Sequence, residues 1–209
     1  MTLQKTIQDS SSGQAGAYLE LTKPGITFFV TVTAAAGYIL AALPEMDWAR
    51  LFHVAFGTAV STAGALALNQ YLEREPDGLM LRTRGRPIPS GRIVPGRARL
   101  FGVLLVAAGV GHLWFWVGGV SALLTLFSAV LYDMVYTPMK RRSPLATPVG
   151  AIPGALPALI GWTAHAGSVD ARGLTLFGIL FLWQLIHVLA LAWNLKDDYE
   201  RAGFQLIPR

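Results

Sequence analysis

The sequence predicts an all-α fold, a polytopic transmembrane bundle of about six helices with both termini in the cytoplasm. Three observations support it. First, 53% of the 209 residues are hydrophobic and only 14% are charged, against roughly 25% charged in soluble domains. Second, four long runs contain no Asp, Glu, Lys or Arg, namely residues 51–72, 100–132, 143–169 and 173–195. Third, the basic residues cluster between alternate runs.

The N-terminal segment is polar and precedes the first apolar run. Residues 1–20 are rich in Ser, Gly and Gln and lack the apolar stretch and small-residue cleavage site of a signal peptide. We interpret residues 1–20 as a disordered polar tail and residues 21–209 as a single transmembrane domain.

The spans follow from the uncharged runs and from turn-forming residues. Pro24 suits the first turn of the first helix. The longest run exceeds one bilayer crossing, and Gly118 and Gly119 mark a hairpin within it. Pro153 and Pro157 fall inside the fifth span, where neighbouring helices can satisfy the freed backbone groups. The predicted spans are, in order, residues 26–43, 51–72, 100–117, 120–137, 148–165 and 174–195.

The basic residues set the predicted orientation. With the N-terminus in the cytoplasm, 15 of the 17 Lys and Arg residues lie in cytoplasmic segments, and only Arg50 and Arg172 lie outside. The net charge of +5 is therefore where membrane insertion requires it, and we expect no nucleic-acid partner. The absence of Cys excludes disulfides and Cys-ligated metals.

An acidic motif ends the second span. Asn69, Glu73 and Asp77 are spaced four residues apart, so they share one face if the helix continues. Pro76 lacks an amide hydrogen and should loosen the helix near Asp77. Mg²⁺ prefers one or two carboxylates with phosphate oxygens, and an amide such as that of Asn69 is costly in an apolar helix without a partner. A solvated acidic helix end is the alternative.

A second acidic pair, Asp197 and Asp198, follows the last span. Alone it would be an ordinary charged helix end. Two acidic ends on the same membrane face favour a facing pair of metal sites. Asp133, near the end of the fourth span, is expected to pair with Lys140 or Arg141 in a structural role.

The cations beside these acids have two interpretations. Arg forks and Lys ammonium groups bind phosphate, and Tyr136 stands one turn before Lys140. For most of the arginines in residues 82–99, contact with lipid head groups is the better interpretation.

Several stretches resemble a known superfamily. NQYLEREPDGLMLRTRGRPIPSGRI resembles the first aspartate-rich motif of the UbiA superfamily of intramembrane prenyltransferases, N-x3-D-x3-D followed by R-T-x2-R-P. LTKPGIT, YTPMKRRSPLATPVGAIPGALPALIGW and LKDDYERAG are similar to its protohaem IX farnesyltransferase branch. The resemblance covers residues 19–208, nearly the whole chain.

This resemblance implies a Mg²⁺-dependent transferase in a bacterial cytoplasmic (inner) membrane, in contact with membrane lipid. It would move a farnesyl group from farnesyl diphosphate to a vinyl group of haem B, giving haem O. By position, the implied catalytic and metal-binding residues are Asn69, Glu73, Asp77, Asp197 and Asp198. The implied diphosphate-binding residues are Arg82, Arg86, Tyr136 and Lys140. His187 would contact the acceptor.

The sequence also departs from the superfamily pattern. Glu occupies positions 73 and 75 in place of Asp, and Asn194 replaces the first acid of the second motif, which favours Asp197 as its ligand. Relatives continue for further helices, so we expect residues 21–209 to be a C-terminally incomplete prenyltransferase domain.

Other functions stay open at this stage. Another UbiA-type prenyltransferase, with an aromatic quinone precursor or chlorophyllide as acceptor, is one alternative, and a truncated, non-catalytic membrane remnant is another. A transporter is disfavoured because the polar groups gather at one membrane face and not at the midplane. The oligomeric state is not predicted.

Overall fold

The computed structural model describes residues 13–205, and this part of the chain contains helices and no β-strand. The predicted all-α class is confirmed. The helices are α1 (13–21), α2 (Pro24–Ala42), α3 (Trp48–Leu72), α4 (Arg74–Leu79), α5 (Pro95–Trp116), α6 (Gly119–Val130), a π-helical segment (Leu131–Tyr136), α7 (Thr137–Met139), α8 (Ala146–Ala166), α9 (Ala171–Asn194) and α10 (Lys196–Arg201).

Five helical stretches in the described residues are long and apolar enough to cross a membrane: α2, α3, α5, Gly119–Met139 and α9. The fifth predicted span, residues 148–165, forms α8, which does not reach the same apolarity. Thirteen of its 21 residues are buried, because α8 packs against α2, α6 and α9. Its Gly-rich and Pro-rich sequence therefore faces protein more than lipid. The cytoplasmic placement of the termini stays a prediction.

Small residues bring the helices close together. A Cβ atom on Gly161 of α8 would overlap the carbonyl oxygen of Ala34 in α2, and one on Gly37 of α2 would overlap Ala158. Without a strong hydrophobic drive between helices in lipid, such close contact is what holds a membrane bundle together. The α2–α8 contact is thus one of the close helix pairs of the bundle.

The acidic end of α3 is broken where Pro76 acts. In a continuous helix the amide of residue 76 would bond to the carbonyl of Leu72, and Pro has no amide hydrogen. Helix α3 accordingly ends at Leu72, and α4 begins at Arg74. The backbone nevertheless keeps helical hydrogen bonds across the break: Glu73 N donates to Asn69 O (2.9 Å) and Asp77 N donates to Glu73 O (2.8 Å).

The predicted helix at 120–137 is not regular to its end. Residues 131–136 form a π-helical segment, in which the amide of Thr137 bonds to the carbonyl of Tyr132, five residues back. Pro138 cannot donate to the carbonyl four residues before it, so a regular α-helical ladder is already interrupted there.

The predicted disordered tail is only partly within the described residues. Residues 1–12 lie outside them, as do residues 206–209. Residues 13–21 are helical, so the tail prediction is wrong for the stretch from residue 13 to 20. Leu21 is buried, and its carbonyl accepts a hydrogen bond from Gln70 Nε2 (3.0 Å).

Candidate functional site

The first acidic motif lies at one end of the bundle, next to α4, residues 80–94 and α10; we call this the polar end. Asn69, Glu73 and Asp77 are all buried there. Both ends of the Asn69 amide have a partner, since Nδ2 donates to Thr137 Oγ1 (3.0 Å) and Oδ1 accepts from Lys23 Nζ (3.1 Å). The amide therefore has the partners that an apolar helix requires.

Asp77 is held by an arginine. Nη1 of Arg86 lies 2.6 Å from Oδ1 and 2.7 Å from Oδ2 of Asp77, and the carboxylate has no exposed surface. Burial raises the pKa of Asp77 although the Arg86 guanidinium works against that shift. The pair joins the acidic face of α3–α4 to residues 80–94.

Glu73 is held by a lysine. Nζ of Lys140 lies 2.8 Å from Oε1 of Glu73 and 4.5 Å from the centre of the Tyr136 ring. Burial by itself lowers the pKa of Lys140, but the Glu73 carboxylate outweighs it, and the pKa ends above its usual value. Gly150 leaves room for the Tyr136 ring, which a Cβ atom at that position would overlap.

Sequence reasoning missed Lys23 as a site residue. Lys23 precedes Pro24 and has a left-handed backbone (φ 44°), and its amine reaches Asn69. Burial, assisted by the positive charges of Arg86 and Lys140 and opposed by Glu73, lowers the pKa of Lys23 to about 7. The available signal was the position of Lys23 in LTKPGIT, directly before the first span. The positive-inside rule already accounted for a lysine there, so it was not assigned to the site.

An open cavity of about 390 Å³ lies beside these residues. Its wall includes three cationic side chains, Lys23, Arg82 and Arg86, together with Glu20 and Gln70. The cavity thus offers a polyanion several positive partners next to the buried carboxylates.

The second acidic motif is less enclosed. Asp198 Oδ1 accepts a hydrogen bond from Leu81 N (3.3 Å) and lies 3.4 Å from Arg201 Nη1, with 14% of the side chain exposed. Asp197, which the sequence favoured as the ligand, is exposed. The contact through Leu81 brings Asp198, and not Asp197, to the segment that follows the first motif.

His187 is not brought into this cluster. It is exposed on α9, and its ring is stacked on Trp183 with the ring centres 5.0 Å apart. Within the described residues no contact joins it to the first motif. Its assignment to the acceptor stays a prediction.

Asp133 corrects another expectation. The sequence predicted an ion pair with Lys140 or Arg141, yet Lys140 is engaged by Glu73 and Arg141 is exposed. Across residues 13–205, neither carboxylate oxygen of Asp133 has a hydrogen-bond partner.

The oxygen donors fit a hard divalent cation shared with a substrate. No three His, Asp or Glu side chains among the described residues stand close enough to hold a metal ion alone. Mg²⁺ typically takes one or two carboxylates, and substrate phosphates and water complete its shell. Glu73 and Asp77, with the Asn69 amide, provide this kind of incomplete oxygen set.

Comparison with known proteins identifies the family. The UbiA prenyltransferase family matches residues 30–209. The protoheme IX farnesyltransferase of Solibacter usitatus is 46% identical over 200 residues, covering 91% of this chain and 68% of that protein. The enzyme of the same name from Opitutus terrae is 42% identical over 199 residues, covering 95% and 67%. The chain thus spans about two thirds of the length of these relatives.

Solved structures share the fold. A digeranylgeranylglyceryl phosphate synthase structure aligns with a TM-score of 0.79 at 19% identity, covering 93% of this chain and 68% of that chain. A UbiA homologue from Archaeoglobus fulgidus bound to DMAPP and Mg²⁺ aligns with a TM-score of 0.70 at 18% identity, covering 89% and 66%. The chain belongs to the UbiA prenyltransferase family, and the predicted enzyme class, a multi-pass membrane prenyltransferase, is confirmed.

Proposed function

We propose that this UbiA-family prenyltransferase transfers a farnesyl group from farnesyl diphosphate to a vinyl group of haem B, giving haem O. The name and 42–46% identity of the two bacterial relatives support the choice of donor and acceptor. The structural observation that carries the proposal is the buried Asn69–Glu73–Asp77 face beside a cavity lined by Lys23, Arg82 and Arg86. Such a site suits a diphosphate at the end of a membrane bundle.

The protein groups have distinct tasks in binding the donor. Asn69, Glu73 and Asp77, with Asp197 and Asp198 of the second motif, would hold Mg²⁺. When bound, Mg²⁺ neutralises charge on the diphosphate and makes it a better leaving group. Arg82 and Arg86 would donate hydrogen bonds to the diphosphate oxygens, since guanidinium forks match that geometry.

Lys140 and Tyr136 support the same end of the donor. Because the Glu73 carboxylate keeps the Lys140 ammonium charged, Lys140 can donate a hydrogen bond to a diphosphate oxygen as its second anionic partner. Tyr136 packs against that ammonium and fixes where it points. Lys23 adds a further donor on the wall of the cavity.

The transfer itself is a substitution at an allylic carbon. The C1–O bond of farnesyl diphosphate breaks, and its electron pair leaves with the diphosphate. The π electrons of the haem vinyl group form the new bond to C1, which leaves positive charge on the vinyl carbon next to the porphyrin. Water adds its oxygen there and releases a proton, so the product is a hydroxyethylfarnesyl group. Fixed donors around the leaving diphosphate lower the barrier of the first step.

The acceptor would approach from the membrane. His187 and Trp183 form a stacked, exposed pair on α9, and a flat porphyrin has the shape to contact them. The five apolar helical stretches and the bacterial relatives support a location in a bacterial cytoplasmic membrane.

The test is a reconstituted assay with a matched pair of variants. Purified protein given farnesyl diphosphate, haem B and Mg²⁺ should produce haem O, detected by mass. Asp77→Asn keeps the shape of a buried ligand and should reduce turnover by about 10³-fold or more. Glu45→Gln, an exposed acid in the α2–α3 turn, should leave turnover unchanged.

Two results would contradict the proposal. Prenylation of an aromatic acid with none of haem would assign a different acceptor. Tight binding of farnesyl diphosphate without any product would indicate a non-catalytic protein.

A further inference from the structure

Two histidines meet at the end of the bundle opposite the polar end. Nδ1 of His53, in α3, lies 3.1 Å from Nε2 of His112, in α5. His53 and Asn69 stand near opposite ends of α3, about 24 Å apart by the rise of an α-helix. The histidine pair is therefore remote from the diphosphate site and has no part in the binding scheme above.

Glycines beside both histidines hold α3 and α5 at this short distance. One turn after His53, a Cβ atom on Gly57 would overlap the side chain of Leu113. One turn before His112, a Cβ atom on Gly109 would overlap the carbonyl oxygen of Gly57. Close packing of small residues is what holds helices together in lipid. Backbone contacts of the two helices thus bring the imidazoles face to face.

Aromatic rings fix the planes of the two imidazoles. Trp116 stacks on His53, with the ring centres 4.9 Å apart and 15° between the planes. Phe56 meets His112 edge to face, with the ring centres also 4.9 Å apart. Both histidines are only partly buried. The pair is therefore held in place and can still be reached from outside the bundle.

Exposed tryptophans indicate that this end of the bundle lies where the membrane meets water. Trp48, Trp114 and Trp116 are exposed by 71%, 51% and 61%, and Trp is enriched at membrane–water interfaces. A dissolved ion can reach the histidine pair from the aqueous side, and water can complete its coordination.

The distance between the two nitrogens matches two ligands of one metal ion. An imidazole nitrogen binds Zn²⁺ and similar ions at about 2.0–2.1 Å, so two of them on one ion stand roughly 2.9–3.4 Å apart when their angle is between roughly 90° and 110°. The 3.1 Å between His53 and His112 lies in this range. Nitrogens on opposite sides of such an ion would stand about 4 Å apart, so the pair does not suit the two axial positions of a haem iron.

The type and number of ligands select the metal. Imidazole nitrogens suit Cu²⁺, Ni²⁺ and Zn²⁺, whereas Mg²⁺ and Ca²⁺ prefer oxygen. Among residues 13–205, no third His, Asp or Glu joins the pair, and structural Zn²⁺ sites almost always have four protein ligands. Tetragonal coordination by nitrogen and water oxygen is typical of Cu²⁺ and Ni²⁺, and Cu²⁺ binds more tightly.

We propose that His53 and His112 form a Cu²⁺-binding site, separate from the diphosphate site. Nδ1 of His53 and Nε2 of His112 bind the ion, and water fills the other positions. The ring that donates the present hydrogen bond changes to its other neutral tautomer, so that both facing nitrogens offer a lone pair. The site goes beyond the proposed transferase function and does not depend on it.

Copper titration of the full chain tests the site. Protein without a histidine tag, in detergent with Mg²⁺ present, should bind Cu²⁺ saturably, and pulsed electron paramagnetic resonance should count two imidazoles on the ion. His53→Gln and His112→Gln should each leave at most one imidazole. Each should weaken binding by at least about 100-fold, since even the outer partners of metal ligands are typically worth roughly 10–100-fold.

His165→Gln is the matched control variant. His165 also contacts an aromatic ring, that of Tyr38, with the ring centres 6.1 Å apart, but it is exposed and stands outside the pair. Its replacement should change neither the affinity for Cu²⁺ nor the count of two imidazoles. Asp77→Asn, at the polar end, should also leave Cu²⁺ binding unchanged, which distinguishes this site from the proposed Mg²⁺ site.

Thermal unfolding provides a second measurement. Cu²⁺ should raise the unfolding temperature of the wild type and of His165→Gln, but not that of His53→Gln or His112→Gln. If the last two variants do not fold, the imidazole count on the wild type decides alone.

Two results would overturn the proposal. One is a wild type that does not bind Cu²⁺ or binds it through fewer than two imidazoles. The other is a folded His53→Gln that binds Cu²⁺ as the wild type does. Either result would leave the pair as a structural hydrogen bond between α3 and α5. Haem O formation enters none of these outcomes, so the copper site and the proposed function can fail separately.

Discussion

The two acidic motifs are held in different ways. In the first motif, Glu73 and Asp77 are buried and each is paired with a cation. Lys140, 67 residues away, lies 2.8 Å from Glu73, and Arg86, nine residues away, lies 2.6 Å from Asp77. In the second motif, Asp197 is exposed, and Asp198 is held by a backbone amide and by Arg201 on its own short helix. Buried ion pairs thus fix the first motif, whereas the second depends on the placement of one short helix.

The helices that carry the motifs explain this difference. Helix α3 buries eleven of its residues, among them Asn69 and Gln70, whereas only Gly173 and Ala192 are buried in α9. The short helix α10 is attached through a small apolar cluster around Met80 and Phe204. The first motif is therefore part of the bundle core, and the second lies at its periphery.

Breaking the buried pair of the first motif should have the largest effect. Lys140→Met leaves the Glu73 carboxylate buried without its cation, and Glu73→Gln leaves the Lys140 ammonium buried without its carboxylate. Each single variant should lose about 3–5 kcal/mol of stability and nearly all turnover, measured by thermal unfolding in detergent and by haem O formation.

The double variant is the control for this comparison. Glu73→Gln with Lys140→Met removes both charges, so much of the lost stability should return. Turnover should not return, because the two side chains proposed to bind Mg²⁺ and the diphosphate are still missing. If stability losses of the singles simply add in the double variant, the pair does not hold the motif as described.

The sequence predicted most of this fold because its signals are local. Uncharged length located the six helical stretches, and the break that ends α3 falls where the missing amide of Pro76 requires it. The four-residue spacing of Asn69, Glu73 and Asp77 placed these residues on one side even across that break.

The parts that were not predicted depend on long-range contacts. Lys23 reaches Asn69 from 46 residues away, and Lys140 reaches Glu73 from 67 residues away. No local pattern indicates that the Asp133 carboxylate finds no hydrogen-bond partner in residues 13–205, since Lys140 is engaged by Glu73. Packing of α10, not spacing, decides that Asp198 rather than Asp197 contacts Leu81.

The second motif offers an intermediate effect. Asp198→Asn should reduce haem O formation by about 10², and Asp197→Asn by less, because only Asp198 is directed at the segment after the first motif. Neither variant should change stability by more than about 1 kcal/mol, since the Asp198–Arg201 pair is partly exposed. Steady-state turnover and unfolding temperature measure the two quantities. A larger loss of turnover for Asp197→Asn than for Asp198→Asn would favour Asp197 as the metal ligand, as the sequence motif predicted.

The smallest effect should come from removing the exposed salt bridge between Arg92 and Glu20. Nη1 of Arg92 lies 2.7 Å from Oε2 of Glu20, but 43% and 44% of the two side chains are exposed. Such pairs contribute less than about 1 kcal/mol, so Arg92→Gln should leave stability and turnover nearly unchanged. Arg86→Gln makes the same chemical change a few residues away, but it leaves the fully buried Asp77 carboxylate without its cation. This variant should therefore lose both stability and turnover. Unfolding temperature and haem O formation compare the pair directly. If Arg92→Gln and Arg86→Gln changed stability and turnover equally, burial of the carboxylate partner would not explain why Arg86 matters more than Arg92.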